Sequence, residues 1–226
     1  MAYISFNEKV ISDLKFDIED GTLEELKKEQ PLRYKWTIWE QIMQDAKASQ
    51  YSDATHKVSS FSTVLDFWRI WDLLPQPSLL LEQKWVRKHD DGERIIDALM
   101  IFRDGVRPEW EDEKNAKGGH FQYSLKPNIP PGQIDEFWNN LVLGLVGSTI
   151  EPANMLMGVR LVDKLSGPRA ANSIRIEVWF TNYEDSRSVN LLKKNVERCM
   201  NTSLDGSLRK NNALPSGEQK SHSPGK

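Results

Sequence analysis

Apolar residues in this chain fall into short alternating runs and a few helical stripes. Over Arg33 to Glu40, Tyr34, Trp36 and Ile38 alternate with more polar or smaller neighbours, and Trp39 interrupts the pattern. That period of two predicts a strand with one buried face. Ile96 to Arg103, Gly119 to Lys126, Met155 to Lys164 and Ser173 to Thr181 read as further strands. Three stretches carry helical spacing instead. Ser62-Thr63-Val64-Leu65-Asp66 opens the first, with Thr63 and Asp66 at capping-box distance and Phe67, Trp68, Trp71 and Leu74 following before Pro75. Ile134, Phe137, Trp138, Leu141 and Leu145 form the second, which ends at Gly147. Val189, Leu192, Val196 and Met200 form the third, over Ser186 to Met200. Gln44 to Lys57 is polar and reads as a long loop, as does the charged stretch Leu81 to Arg94 with its break at Asp90-Asp91-Gly92. Strands separated by occasional helices predict an α+β fold rather than an alternating α/β one.

Residues 1–29 are charged and lean acidic, so they are expected to form a flexible arm. Residues 30–200 form the expected folded domain, and 201–226, rich in Asn, Ser, Lys, Gly and Pro, a disordered tail. With 226 residues the chain has room for a sizeable core. The net charge of −3 argues against a general nucleic-acid binder held by a broad basic surface, but leaves room for a small basic site. One cysteine, Cys199, allows no internal disulfide and fits a reducing compartment. The start of the chain lacks a secretory pattern, and no apolar run is long enough for a membrane span. Cytoplasm is the expected location, with the nucleus also open. The histidines His56, His89, His120 and His222 have no metal-ligand spacing, and no P-loop or nucleophile motif occurs. The chain is therefore expected to bind without catalysis and without a cofactor or metal.

The most specific chemistry lies in Pro108-Glu109-Trp110-Glu111-Asp112-Glu113-Lys114-Asn115-Ala116-Lys117-Gly118-Gly119. An indole stands directly beside a carboxylate in a short segment bounded by proline and a glycine pair. An indole face attracts cations, and a carboxylate accepts two parallel hydrogen bonds from a planar donor edge. A guanine methylated at N7 offers both partners, a positive charge and an N1–H/N2–H edge. Seven further tryptophans (Trp36, Trp39, Trp68, Trp71, Trp85, Trp138 and Trp179) are mostly expected in the core.

The segment resembles the central motif of the eukaryotic initiation factor 4E family, which binds the messenger RNA cap. The resemblance covers about residues 30–200. It rests also on Gln30-Pro31-Leu32 leading to Lys35-Trp36-Thr37-Ile38-Trp39, on Phe61 to Trp68, on Phe102 to Pro108 and on Ile176-Glu177-Val178-Trp179. It implies a curved antiparallel sheet with helices on the convex face and a cap slot on the concave face. It further implies that Trp110 and Tyr51 sandwich the guanine, that Glu111 reads its edge, and that Trp179 packs near the methyl group. Tyr51 stands where the family has a tryptophan, and tyrosine is the weaker cation–π plate. For the cap phosphates the resemblance implies Lys164 and Arg175, with Arg169 in the adjoining loop and His120 where the family has an arginine. A solvent-facing His120 would gain charge and tighten phosphate binding as pH falls from about 7.5 to about 6.

The implied partners are capped messenger RNA and a scaffold of the initiation factor 4G type, or a repressor that competes with it. The implied chain is a monomer. Pro31, Leu32, Val64, Trp68 and Leu143 match the scaffold-binding positions. Asn139 and Asn140 depart from the leucine and glutamate expected there, which leaves a second reading. In it the chain is a cap-binding repressor, or an isoform for a hypermethylated cap, that does not engage the general scaffold.

Overall fold

The computed structural model of the chain describes residues 29–42, 54–89, 92–167, 170–203, 206–209 and 214–223. Among these residues eight strands make one antiparallel sheet: β1 (Pro31–Ile42), β2 (Thr55–Thr63), β3 (Trp85–His89), β4 (Gly92–Arg103), β5 (Gly119–Leu125), β6 (Leu156–Lys164), β7 (Ser173–Phe180) and β8 (Glu218–Ser221). They run in the order β2-β1-β4-β6-β7-β5-β8. The first half of β4 pairs with β3 and the second half with β1, so β3 takes over the β4 edge where β1 leaves it. Three helices accompany the sheet, α1 (Val64–Trp71), α2 (Pro131–Val146) and α3 (Ser186–Met200). This is the expected α+β architecture, a curved antiparallel sheet backed by helices.

Side chains alternate across a strand, so the two faces of the sheet sort by parity. Trp36 and Ile38 of β1, Ile101 of β4, Val159 of β6, Ile176 of β7 and Tyr123 of β5 share one buried cluster with the helices. Phe67 and Trp71 of α1, Phe137 and Trp138 of α2, and Val189 and Val196 of α3 close that cluster. The opposite face carries a second, smaller one of Met100, Phe102, Val106, Met157 and Trp179, against which Trp39 packs. Trp39 interrupts the alternation in β1 because both faces of that strand meet apolar neighbours. The helix starts follow their caps: Thr63 accepts a hydrogen bond from Asp66 N at 3.2 Å, and Asp185 from Ser188 N at 3.1 Å.

Three stretches differ from expectation. Thr55 to Lys57, expected at the end of a loop, belong to strand β2, which pairs with β1 from Gln41↔Thr55 to Trp36↔Phe61. It is an edge strand with few apolar side chains, so it carries little periodicity. The 81–94 stretch is not a loop: it holds β3 and the start of β4, which pair antiparallel from Trp85↔Ile96 to His89↔Gly92. Buried Trp85 and the ion pairs Arg87–Glu40 and Lys84–Asp163 tie it down. The tail from Asn201 is not disordered throughout. Leu214 is buried, and β8 pairs with β5 from Gly119↔Ser221 to Gln122↔Glu218. The physical reason is the open edge of β5, whose backbone groups need partners.

Gly158 marks how closely β6 approaches β4. A Cβ there would lie 2.4 Å from Phe102 Cγ and 2.6 Å from the carbonyl oxygen of Ile101. Gly158→Ala is therefore expected to cost about 1–3 kcal/mol. Urea unfolding of the two proteins checks it, and an unchanged midpoint would contradict this packing.

Candidate functional site

The segment linking β4 to β5 carries Trp110 and Glu111, and its own polar groups hold it in shape. Asp112 is the first clamp: its carboxylate accepts from Arg107 N at 2.8 Å and from Lys114 N at 2.9 Å. Asn115, fully buried, is the second. Its amide nitrogen donates to the carbonyls of Arg107 at 2.8 Å and Glu109 at 2.9 Å. The glycine pair that follows permits close strand approach. A Cβ on Gly118 would lie 2.0 Å from Phe180 O, and one on Gly119 would lie 2.4 Å from Lys220 O. So clamped, the segment presents Trp110 at 52% exposure, with Glu111 exposed beside it.

Under this segment lies a pocket of about 260 Å³ lined by Pro108, Glu109, Trp110, Glu111, Arg160 and Trp179. That volume is near the small end for ligand sites and suits a single base better than a large cofactor. Trp179 is 1% exposed and meets Phe102 edge-to-face at 5.3 Å between ring centroids. Its Nε1–H donates to Glu177 Oε2 at 3.0 Å. Glu177 is buried between two guanidiniums, with Arg175 Nε at 3.0 Å and Arg160 Nη1 at 3.4 Å. Burial alone would raise the Glu177 carboxyl. Arg160 and Arg175, helped by His120 and the Trp179 indole, reverse that and hold it well below the usual carboxylate range. Arg160 and Arg175 thus set two guanidiniums around one carboxylate beside Trp179, next to the Glu109 and Glu111 side of the pocket.

Beside Trp179 sits a pair of histidines. His120 of β5 lies in register with Trp179 of β7, and its Nδ1 is 3.0 Å from Nε2 of His222, just beyond β8. His222 Nδ1 is 3.0 Å from the Asn115 carbonyl. A carbonyl only accepts, so Nδ1–H of His222 donates to it, and His120 Nδ1–H donates to the remaining nitrogen. Both rings lie close to Trp110 and Trp179. His222 is 5.8 Å from Trp110 at an interplanar angle of 14°, and 4.3 Å from Trp179. Burial drives the His120 imidazole down to about 4, with Glu177 opposing and His222, Lys220 and Arg175 reinforcing. His222 is lowered as well, chiefly by burial. His120 is thus a buried neutral ring at physiological pH. It does not offer the charge to phosphate that a solvent-facing residue would gain between pH 7.5 and 6, so the expected rise in affinity has no basis here.

Of the residues singled out from sequence, Trp110, Glu111 and Trp179 come together around one pocket. Arg175 joins them through Glu177. Lys164 lies farther along β6, opposite Ser173 and half-buried. Tyr51 and Arg169 lie outside the described residues. Glu177 and His222 carry no site signal in the sequence, and Arg160 shares only the strand face of Lys164 by its period-two spacing. The spacing 160, 177 and 179 across adjacent strands gives the first two away once the β6–β7 register is known. Across the sheet, Pro31, Val64 and Leu143 are exposed, and Leu32 and Trp68 half-buried. Asn139 donates to Gln76 Oε1 at 3.0 Å and Asn140 to Thr202 O at 2.7 Å. Both departures from the family pattern therefore make contacts within the fold.

Residues 31–223 match the family described as eukaryotic initiation factor 4E. The chain is 32% identical over 179 residues to eukaryotic translation initiation factor 4E of Saccharomyces cerevisiae, a match covering 79% of this chain and 74% of the relative. Two solved structures share the fold. A complex of C. elegans eIF4E-3 with the 4E-binding protein Mextli and cap analog has a TM-score of 0.61 at 18% identity, covering 79% of this chain and 90% of that one. Ascaris suum eIF4E-3 with an m2,2,7G cap has a TM-score of 0.63 at 17% identity, covering 84% and 98%. The chain belongs to the eukaryotic initiation factor 4E family.

The histidine pair makes stability depend on pH. Both imidazoles titrate lower folded than unfolded, so below about pH 6.5 the unfolded chain takes up protons that the folded one refuses. Stability is complete above that pH and falls as pH drops toward 4 through His120, by up to about 1.4 kcal/mol per pH unit, with His222 acting in the same direction. Urea unfolding at pH 7, 6 and 5 should show the decline, and His120→Gln should flatten it. Equal slopes for both proteins would contradict the buried neutral pair.

Proposed function

We propose that this chain binds the 7-methylguanosine cap of messenger RNA and serves translation initiation through a scaffold partner. The observation that carries the reading is an exposed indole next to a carboxylate, over a pocket that Trp179 and the Arg160 guanidinium also line. The methylated base would lie against Trp110, attracted through its positive charge. Glu111 would accept from N1–H and N2–H, and the Trp110 backbone N–H would donate to O6. Trp179 would pack against the methyl group. Arg175 and Lys164, with Arg169, would meet the phosphates, and Tyr51 would supply the second plate. Arg160 joins them, because it lines the base pocket itself. The relatives' names point the same way. The C. elegans protein is in complex with a cap analog and the Ascaris protein with an m2,2,7G cap. The site binds and releases its ligand without bond chemistry, in cytoplasm or nucleus.

The partner surface is the helical side. Val64, Trp68 and Leu143 would receive the apolar stripe of an amphipathic helix from a 4G-type scaffold or a competing binding protein, with Pro31 and Leu32 at its margin. Leu65 and Leu73 are exposed near this surface and enlarge it. Asn139 and Asn140 are engaged in contacts within the fold, so the stripe from α1 to Leu143 would carry the contact.

Two outcomes are expected. 7-methyl-GTP should quench the intrinsic tryptophan fluorescence far more strongly than GTP at equal concentration. Glu111→Ala should weaken its binding about 10- to 150-fold, the range for hydrogen bonds to a charged group. Equal quenching by both nucleotides, or an unchanged affinity in the variant, would sink the reading. For the second surface, Trp68→Ala should lower affinity for a scaffold peptide at least tenfold, as expected for a buried aromatic anchor, while leaving 7-methyl-GTP binding within twofold. Calorimetry with both ligands separates the two surfaces.

A further inference from the structure

Strand β8 ends beside the candidate pocket, and its contacts there are specific. We propose that His222 is a positioning residue of the site, holding Trp110 and its loop in the arrangement that receives the base. This rests on the cap-binding reading above and extends it to a segment outside the 30–200 domain expected from sequence.

The argument begins with how His222 is held. Its backbone N–H donates to Gly118 O at 3.0 Å, its Nδ1–H to Asn115 O at 3.0 Å, and its Nε2 accepts from His120 Nδ1–H at 3.0 Å. Ser223 adds a bond from its hydroxyl to Ala116 O at 3.2 Å. The strand end is thus tied to Asn115, Ala116 and Gly118, all within the loop. Asn115 is the same residue whose side chain fixes Arg107 and Glu109, on either side of Pro108 and next to Trp110. A displacement of His222 is transmitted through Asn115 to the segment that carries the indole.

The ring itself makes the second contact. It lies nearly parallel to Trp110 and close to Trp179, so one imidazole touches both tryptophans of the site. Trp110 is otherwise half-exposed on a loop, where an indole samples several rotamers. A fixed flat neighbour on one face selects the rotamer that leaves the other face for ligand, and so reduces the ordering cost of binding. The ring is buried and without charge of its own at neutral pH. The charged groups around the pair are Glu177 and Arg175 from β7 and Lys220 from β8, with the Asn115 carbonyl from the loop.

The test measures 7-methyl-GTP affinity and the near-ultraviolet circular dichroism of the tryptophans in the full chain. His222→Ala should weaken 7-methyl-GTP about five- to tenfold, and His222→Phe, which keeps a flat ring against Trp110, should recover most of it. The dichroism change caused by His222→Ala should vanish in a Trp110→Phe background, which an effect on global stability alone would not do. Unchanged affinity in His222→Ala overturns the proposal. Tighter binding also overturns it, because His222 would then occupy the place of the base. A second measurement needs no variant. The imidazole resonances of His222 should shift when 7-methyl-GTP is added to the wild-type chain, and silent resonances would contradict a ring in contact with the site. If the wild-type chain fails to bind 7-methyl-GTP, the cap-binding reading falls. The dichroism cycle still decides whether His222 positions Trp110.

Discussion

A single buried amide, Asn115, fixes the segment on which the site depends. Its nitrogen donates to the two carbonyls that flank Pro108, just before Trp110, its own carbonyl accepts from His222, and its backbone N–H donates to Asp112 O. The carbonyls of Arg107 and Asn115 each accept a second, backbone donor, Glu109 N and Gly118 N at 2.8 Å, so the turns of the loop and the Asn115 clamp converge on the same oxygens. The loop therefore has one low-energy arrangement rather than many. The two side chains offered for recognition, Trp110 and Glu111, project from it without taking part in its internal bonding. Polar clamps inside and functional groups outside is how a loop can be both rigid and exposed.

The concave face solves a related problem with charge. A chain of net charge −3 is a poor attractor of phosphates overall, so attraction has to be local. Arg160 and Arg175 supply it beside Trp179. Two guanidiniums on neighbouring strands would repel one another, and Glu177 between them removes that conflict while leaving one unit of positive charge in excess. The same carboxylate orients the Trp179 indole through its Nε1–H. Trp179 and the two guanidiniums are thus joined through one residue, and displacing either disturbs the other.

Much of this was legible in the sequence, and the parts that were not share a cause. The central strands and all three helices carry apolar residues with a clear period, because one face of each is buried in the main core. Thr55–Thr63, Trp85–His89 and Glu218–Ser221 lack that signal because they lie at margins of the sheet, and the side chains of β8 are all exposed. What holds β8 is the backbone ladder with β5 and two anchors at its ends, Leu214 and His222, and periodicity does not report such anchors. The pairing of Trp110 with Glu111 was visible because the two residues are adjacent in sequence. Glu177 and His222 were not, since their roles arise from strand register and from a contact between residues 102 positions apart. His120 shows the same limit from the other side: residue type suggested a charge switch, and burial removes it.

The central claim is that a charged methylated base rests on the Trp110 face with its methyl group against Trp179. Nuclear Overhauser contacts from the N7-methyl protons of bound 7-methyl-GDP test it most directly, in a chain with its tryptophan rings selectively labelled. The account predicts contacts to the rings of both Trp110 and Trp179. Contacts to neither, with the methyl group instead near the Tyr34–Arg103 stack in a separate pocket, would contradict it.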